Sequence, residues 1–264
     1  MNQSPLPIKL ISTDFDGTLF AEFENPPVSR RLERLIGDLQ ARGARWVINT
    51  GRDMSSLMEA LARARISIQP DYLVLVEREI YRHDGVRYAP VEAWNAACAR
   101  DHAELFARVR PAVSELTEWV NSRFRATVYE DAYSPFCLIA GNNRDADVIH
   151  ERLNMFCARF PQLTVVRNDV YARFSHVAYN KGTALSELTQ RHSWSASDVF
   201  AAGDHLNDLP MLCSKYAHWL AAPQNAIEPV KEAVARQNGF VSRFAQGEGV
   251  AEGLEVQLAK ASHQ

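Results

Sequence analysis

The chain has 264 residues, of which 47% are apolar and 23% charged, the make-up of a soluble globular protein with room for one large domain or two smaller ones. A net charge of −3 excludes a global basic field for nucleic acid or anionic lipid, although the positive charge is unusual in kind, with 24 Arg against 5 Lys. Cys98, Cys137, Cys157 and Cys213 are scattered without a Cys-x-x-Cys pair, which argues against a structural zinc site or a disulfide framework and fits reduced thiols in the cytoplasm.

Met1 to Pro5 shows no basic stretch followed by an apolar run, so no signal peptide is expected, and no apolar stretch is long enough to span a membrane. Residues 9–13 read as a short buried strand ending at Asp14. Ser29 suits a helix N-cap, and Leu32, Leu35, Ile36 and Leu39 follow at helical spacing up to Gly43. Residues 46–49 read as a second buried strand, a helix bearing Met54, Leu57, Met58 and Leu61 comes next, and residues 72–76 form a third strand. This βαβαβ order implies a parallel sheet with right-handed crossovers.

The pattern then changes. Residues 80–82 and 86–88 flank His83-Asp84-Gly85 as a hairpin. A helix is expected over 103–120, strands over 127–130 and 136–140, a helix over 145–159, and strands over 163–166 and 170–174. From Lys181 the βα rhythm resumes: a helix over 182–190, a strand over 199–202, a helix over 209–213, a strand over 218–221, a helix over 226–235, a strand at 240–241 and a last helix from Val250. The fold class is therefore α/β, a doubly wound parallel sheet whose two parts, 1–82 and 179–264, are interrupted by an α+β insert over 83–178.

Two acidic groups, far apart in sequence, each follow an apolar strand. One is Asp14-Phe15-Asp16-Gly17-Thr18-Leu19, and the other Gly203-Asp204-His205-Leu206-Asn207-Asp208. Carboxylates at the C-terminal ends of strands in an open α/β sheet lie at the crevice where such folds bind ligands. Packed together without a cation they would repel and lose their charge. A hard metal ion explains them economically, with one Asp left as a nucleophile. Asp-x-Asp-Gly alone is also a solvated turn, but the full run behind an apolar strand is far more specific.

These motifs resemble the haloacid dehalogenase (HAD) superfamily, most of whose members are Mg²⁺-dependent phosphatases. Asp14-Phe15-Asp16-Gly17-Thr18-Leu19 carries its hallmark. Asn49-Thr50-Gly51-Arg52, Asn180-Lys181-Gly182 and Gly203-Asp204-His205-Leu206-Asn207-Asp208 follow in the family's order, with weaker matches at Asn225-Ala226 and Gly249-Val250. An insert between the second and third motifs resembles the large α+β cap of the Cof-like, or IIB, branch. Residues 70–76 running into Glu79-Ile80-Tyr81 resemble its sucrose-phosphatase side. Where many Cof-like relatives carry an Asn-Gly-Ala turn, this chain has Glu77-Arg78-Glu79, expected to place charge at the rim.

The resemblance implies a phosphatase for a small phosphomonoester, a sugar phosphate, acting through an aspartyl-phosphate. Asp14 is the implied nucleophile, and Asp16 the acid and later the base. Thr50, Gly51, Arg52 and Lys181 are the implied phosphate-binding residues, with Arg52 either touching substrate or bracing the acidic cluster. Mg²⁺ would be held by Asp14, Asp16 through its carbonyl, Asp204, Asn207 and Asp208. The cap would close over the site and choose the leaving group.

Singly, several of these residues have plainer readings: Thr50-Gly51-Arg52 as a strand-to-helix turn, Lys181 as an exposed helix start, Asp204 to Asp208 as turn and cap residues. Their joint order points to a catalytic site. His205 reads as a loop residue, and the other histidines lack metal-ligand spacing. Trp94 and Trp119 read as packing aromatics rather than sugar platforms. A phosphosugar mutase stays open if Arg123, Arg125, Arg144, Arg167 and Arg173 form a basic cradle. A phosphoaspartate signalling receiver would lack the insert and the Asp two residues after the first, and a non-catalytic binding module would be expected to have lost Asp14 or Asp16. The expected partner is a small phosphate ester, with no nucleic acid or membrane, on a monomer or homodimer.

Overall fold

In the computed structural model, residues 6 to 262 are described; the opening Met1 to Pro5 and His263, considered above, lie outside the described residues. Chain order gives β1 (Leu10–Thr13), α1 (Arg30–Ala41), β2 (Arg45–Asn49), α2 (Met54–Ala64), β3 (Tyr72–Leu75), β4 (Glu79–His83), β5 (Tyr88–Pro90), α3 (Glu92–Val109), α4 (Val113–Asn121), β6 (Ala126–Tyr129), β7 (Cys137–Ala140), α5 (Asn143–Cys157), β8 (Leu163–Asn168), β9 (Tyr171–His176), α6 (Lys181–Arg191), β10 (Val199–Ala202), β11 (Trp219–Ala222), α7 (Glu228–Arg236), β12 (Phe240–Val241) and α8 (Gln246–Ala261). Two compact units result. Glu92 closes the first segment of one unit and Lys181 opens its second, while Ala93–Asn180 forms the other.

The first unit is built on an eight-stranded sheet in the order β12-β11-β10-β1-β2-β3-β4-β5. Strands β12 to β3 run parallel, and β4 and β5 add an antiparallel edge. Leu10 to Thr13, Val199 to Ala202 and Trp219 to Ala222 are buried on both faces, as a parallel sheet covered by helices requires. On one face Ile11, Trp46, Ile48, Leu73 and Phe200 share a core with Leu32 and Ile36 of α1, Leu57 of α2 and Val250 and Leu254 of α8. Ser29 caps α1, its hydroxyl accepting from Leu32 N–H at 3.2 Å, and Asp53 caps α2 through Ser56 N–H at 2.8 Å.

The second unit is a four-stranded antiparallel sheet, β6-β7-β9-β8. Its core gathers Leu105, Val109, Leu116, Val120, Phe136, Leu138, Ile149, Leu153 and Phe174. Phe156 stacks on Phe174, with ring centroids 5.3 Å apart.

Four expectations need correction. The hairpin falls on the large sheet, where Leu73 pairs Tyr81, so the units divide at 92/93 and 180/181 rather than at 83 and 178. The helix expected over 103–120 starts at Glu92 and is interrupted at residues 110–112, where Pro111 cannot donate to a helical ladder. No helix covers 209–213. A single 3₁₀ turn at Leu206–Asp208 is followed by turns, with Pro210 among them. The last helix begins four residues earlier than expected, at Gln246.

Candidate active site

Strand order reverses between β1 and β10: the chain winds from β1 to β2 and β3 on one side, and from β10 to β11 and β12 on the other. Such a switch point opens a crevice beyond the C-terminal strand ends. Asp14 follows Thr13 at the end of β1, Thr50 follows Asn49 at the end of β2, and Asp204 stands just past Ala202 at the end of β10. Asp14 is pinned by its backbone N–H, which donates to Ala202 O at 2.9 Å.

Lys181 opens α6, and its side chain is fully buried. Its Nζ donates to Asp14 Oδ1 at 2.6 Å and to Asp208 Oδ1 at 2.6 Å. Asn49 fixes the backbone behind it, donating from Nδ2 to the Lys181 carbonyl at 3.0 Å. Asp208 Oδ2 accepts from the N–H groups of Asp204 and His205 at 2.8 and 2.9 Å, which folds the loop back on itself. Asp204 Oδ1 accepts from Thr18 Oγ1 at 2.7 Å. Gly17, at φ +75°, permits this approach, because a Cβ there would lie 2.5 Å from Asp204 Oδ2.

Asp16 stands apart from this cluster. Arg52 grips it as a fork, with Nε to Oδ2 at 2.8 Å and Nη2 to Oδ1 at 2.7 Å. The guanidinium also lies 5.4 Å from the Phe15 ring centroid and reaches Ser56 Oγ at 3.0 Å. The Arg52 guanidinium is thus engaged with Asp16. Thr50 N–H is committed to Val74 O at 2.8 Å, while the Thr50 hydroxyl accepts from Arg52 N–H at 3.1 Å and keeps a proton to donate. Gly51 lies in the turn between them.

Asn207 is buried and donates from Nδ2 to Glu77 Oε1 at 3.0 Å, and its Oδ1 has no hydrogen-bond partner among the described residues. Glu77 and Arg78 are buried, which corrects the expectation of a charged rim. Neither Glu77 nor Asn49 was picked out as a site residue, because a buried acid in a charged turn and a strand-end Asn carry no signature of their own. Trp94 packs edge-on against Tyr179, 5.2 Å between centroids. Trp119 packs against Phe124 and lies under the guanidinium groups of Arg123 and Arg152, at 5.3 and 5.6 Å. Arg167, buried and paired with Asp147 at 2.6 Å, is committed inward and weakens the basic cradle a mutase would need.

Burial and repulsion from Asp208 push the Asp14 carboxyl well above the usual range, against the pull of Lys181. Burial, then Asp208, raise Asp204 to about 7. Burial opposes the charge on Lys181, but Asp14, Asp208 and Glu77 outweigh it and its pKa is raised. Ligand oxygens of Asp14, Asp204 and Asp208 all lie within 4.8 Å of one another, and this group, the one such cluster among the described residues, contains no histidine. With all three acids ionised, three carboxylates and one ammonium sum to two negative charges, and the donors are all oxygen. That set fits a hard divalent cation such as Mg²⁺.

A pH experiment follows. A carboxyl raised to about 7 holds its proton more tightly in the folded chain, so its stabilising contribution is full below the ordinary 3.8 and is lost as pH rises through about 7. The metal-free wild type should therefore lose Tm relative to Asp204→Asn as pH rises from about 4 to about 7. Mg²⁺ should raise the wild-type Tm more above that window than below it, because binding requires the ionised carboxylate. A Tm difference between the two proteins that stays flat across the window would contradict this.

Residues 114–254 match the family model of haloacid dehalogenase-like hydrolases, and residues 7–121 match that of sucrose-6F-phosphate phosphohydrolase. The chain is 24% identical over 236 residues to 5-amino-6-(5-phospho-D-ribitylamino)uracil phosphatase YcsE of Bacillus subtilis, covering 85% of this chain and 87% of the relative. Its fold is similar to that of the sucrose-phosphatase from Synechocystis in complex with sucrose and phosphate, at TM-score 0.73 and 16% identity, covering 94% of this chain and 97% of the other. It is also similar to a haloacid dehalogenase-like hydrolase from Bacteroides thetaiotaomicron, at TM-score 0.62 and 21% identity, covering 94% and 98%. With a family model matched over more than half its length, the chain belongs to the haloacid dehalogenase-like hydrolases.

Proposed function

We propose that the chain is a Mg²⁺-dependent phosphatase that hydrolyses a small sugar phosphate through an aspartyl-phosphate on Asp14. The observation that carries this reading is the buried pairing of Asp14 Oδ1 with Lys181, set within reach of Asp204 and Asp208. Oδ2 of Asp14, without a hydrogen bond among the described residues, is the attacking oxygen. Asp14, Asp204 and Asp208, with the Asp16 carbonyl and Asn207, would hold Mg²⁺, which when bound neutralises charge on the transferring phosphoryl group.

Asp14 attacks phosphorus, and the bond from phosphorus to the leaving oxygen breaks. Asp16 protonates that oxygen, which requires Arg52 to release one of the two carboxylate oxygens it grips. Asp16 then takes a proton from water as the water attacks phosphorus, which frees phosphate and restores Asp14. Lys181 and the Thr50 hydroxyl offset charge on the phosphoryl oxygens. Two names favour a sugar phosphate: the matched family model is for a sucrose phosphate, and YcsE is named for a phosphoribityl compound. The reduced, mostly buried cysteines support a cytoplasmic setting, and among the described residues no helix is long and apolar enough to cross a membrane.

A phosphomonoester panel covering sucrose 6-phosphate, hexose phosphates, nucleotides and phosphoglycolate tests this. Phosphate release should require Mg²⁺ and favour the sugar phosphates. Release that persists under EDTA would refute the metal dependence, and a preference for nucleotides would refute the substrate class. Conversion of a hexose phosphate to its isomer without phosphate release would favour the mutase.

A further inference from the structure

The turn after β3 holds a buried acid in a backbone conformation that suits glycine. Val76 and Glu77 have φ of +44° and +67°, in the left-handed region, where a β-branched valine is an outlier. Three backbone hydrogen bonds hold the turn: Val76 N–H to Arg52 O at 3.0 Å, Glu77 N–H to Thr50 O at 2.9 Å, and Arg78 N–H to Leu75 O at 2.9 Å. The first two tie the turn to the loop that carries Thr50 and Arg52. A glycine would meet this backbone without strain. The chain instead places a carboxylate there and buries it, 6% exposed, which is unfavourable unless the carboxylate is engaged.

The engagement is with Asn207. Its Nδ2 donates to Glu77 Oε1 at 3.0 Å. A carboxylate can only accept, so Glu77 decides which end of the Asn207 amide faces it. The other end, Oδ1, is then left as an acceptor, buried and without a partner among the described residues. Buried acceptors are nearly always satisfied, so an orphan in the loop between Asp204 and Asp208 points to a donor that binds there. Water in the shell of a cation held by those carboxylates is such a donor.

We propose that Glu77 is a positioning residue for the metal site: its carboxylate orients the Asn207 amide so that Oδ1 receives the cation's bound water. The same contact clamps the loop after β10 to the turn beside Thr50, so one hydrogen bond joins the metal-binding and phosphate-binding loops. The proposal rests on reading the acidic cluster as a Mg²⁺ site.

Isothermal titration of MgCl₂ into metal-free wild type, Glu77→Gly and Glu77→Gln tests it, with Tm measured on each metal-free protein. Glu77→Gly should weaken Mg²⁺ binding about tenfold or more, in the range seen when the partner of a metal ligand is removed. Its metal-free Tm shows whether it stays folded: relief of the positive-φ strain at residue 77 and of a buried carboxylate opposes the loss of a partner for Asn207 Nδ2, so a cooperative melt should remain. Glu77→Gln keeps an acceptor for Asn207 and should stay within about threefold of wild type. Glu77→Gly binding Mg²⁺ as tightly as wild type, or Glu77→Gln binding as weakly as Glu77→Gly, would overturn the positioning role and leave the metal site standing. Failure of wild type to bind Mg²⁺ would overturn both.

Discussion

Asp14→Asn is expected to lower kcat by at least about 10³-fold, the scale of loss when a covalent nucleophile is removed, while the metal-free fold stays at least as stable as wild type. The two effects separate because the carboxylate is costly in the fold. Burial and the neighbouring Asp208 disfavour its charge more than Lys181 favours it. An amide is nearly the same size and can still accept from Lys181 Nζ, but its oxygen does not attack phosphorus. Activity assays and thermal melts on one preparation check both halves. A variant that keeps wild-type turnover, or one that loses turnover because it unfolds, would remove the support for Asp14 as the attacking group.

Lys181→Met is expected to lose both activity and stability. The ammonium is fully buried between Asp14 and Asp208, so its removal strands two carboxylates that it had partnered. Breaking a buried pair from one side costs about 3–5 kcal/mol, which for a chain of this size lowers Tm by about 10 °C. Mg²⁺ should return part of that loss, because a cation bound only by the folded state stabilises it by mass action. Turnover should fall by about 10²-fold or more, since charge on the transferring phosphoryl group loses a compact, water-excluded partner. A metal-free variant that melts with wild type would show that the ammonium does not compensate the two acids.

Much of the site was legible because its residues follow strands. Apolar runs ending in Asp14, Thr50 and Asp204 read directly as buried parallel strands, and their C-terminal ends meet where strand order reverses. Ser29 announced its helix because an N-cap hydroxyl is a local signal. What was missed depends on contacts between distant residues. A boundary at residue 83 cuts the hairpin of β4 and β5 in two, because its strands look the same in sequence whichever sheet they join; only pairing to β3 decides it. The start of α3 was missed because its buried positions, such as Cys98, His102 and Leu105, lie in its middle and end.

Glu77-Arg78-Glu79 reads as a charged rim because charge is ordinarily found at the surface. The hydrogen bond from Asn207 to Glu77 spans 130 residues, and positive φ at Val76 and Glu77 has no cue in their identities. The fork between Arg52 and Asp16 is likewise invisible in sequence, where the two lie 36 residues apart.

The covalent intermediate is the most direct test of the account. Protein turning over a sugar phosphate with Mg²⁺ is quenched into borohydride, which reduces an acyl phosphate to an alcohol, and the digested chain is mapped by mass spectrometry. The account predicts homoserine at position 14, dependent on both substrate and Mg²⁺, and absent from Asp14→Asn. Homoserine at another carboxylate, such as Asp16, would contradict it.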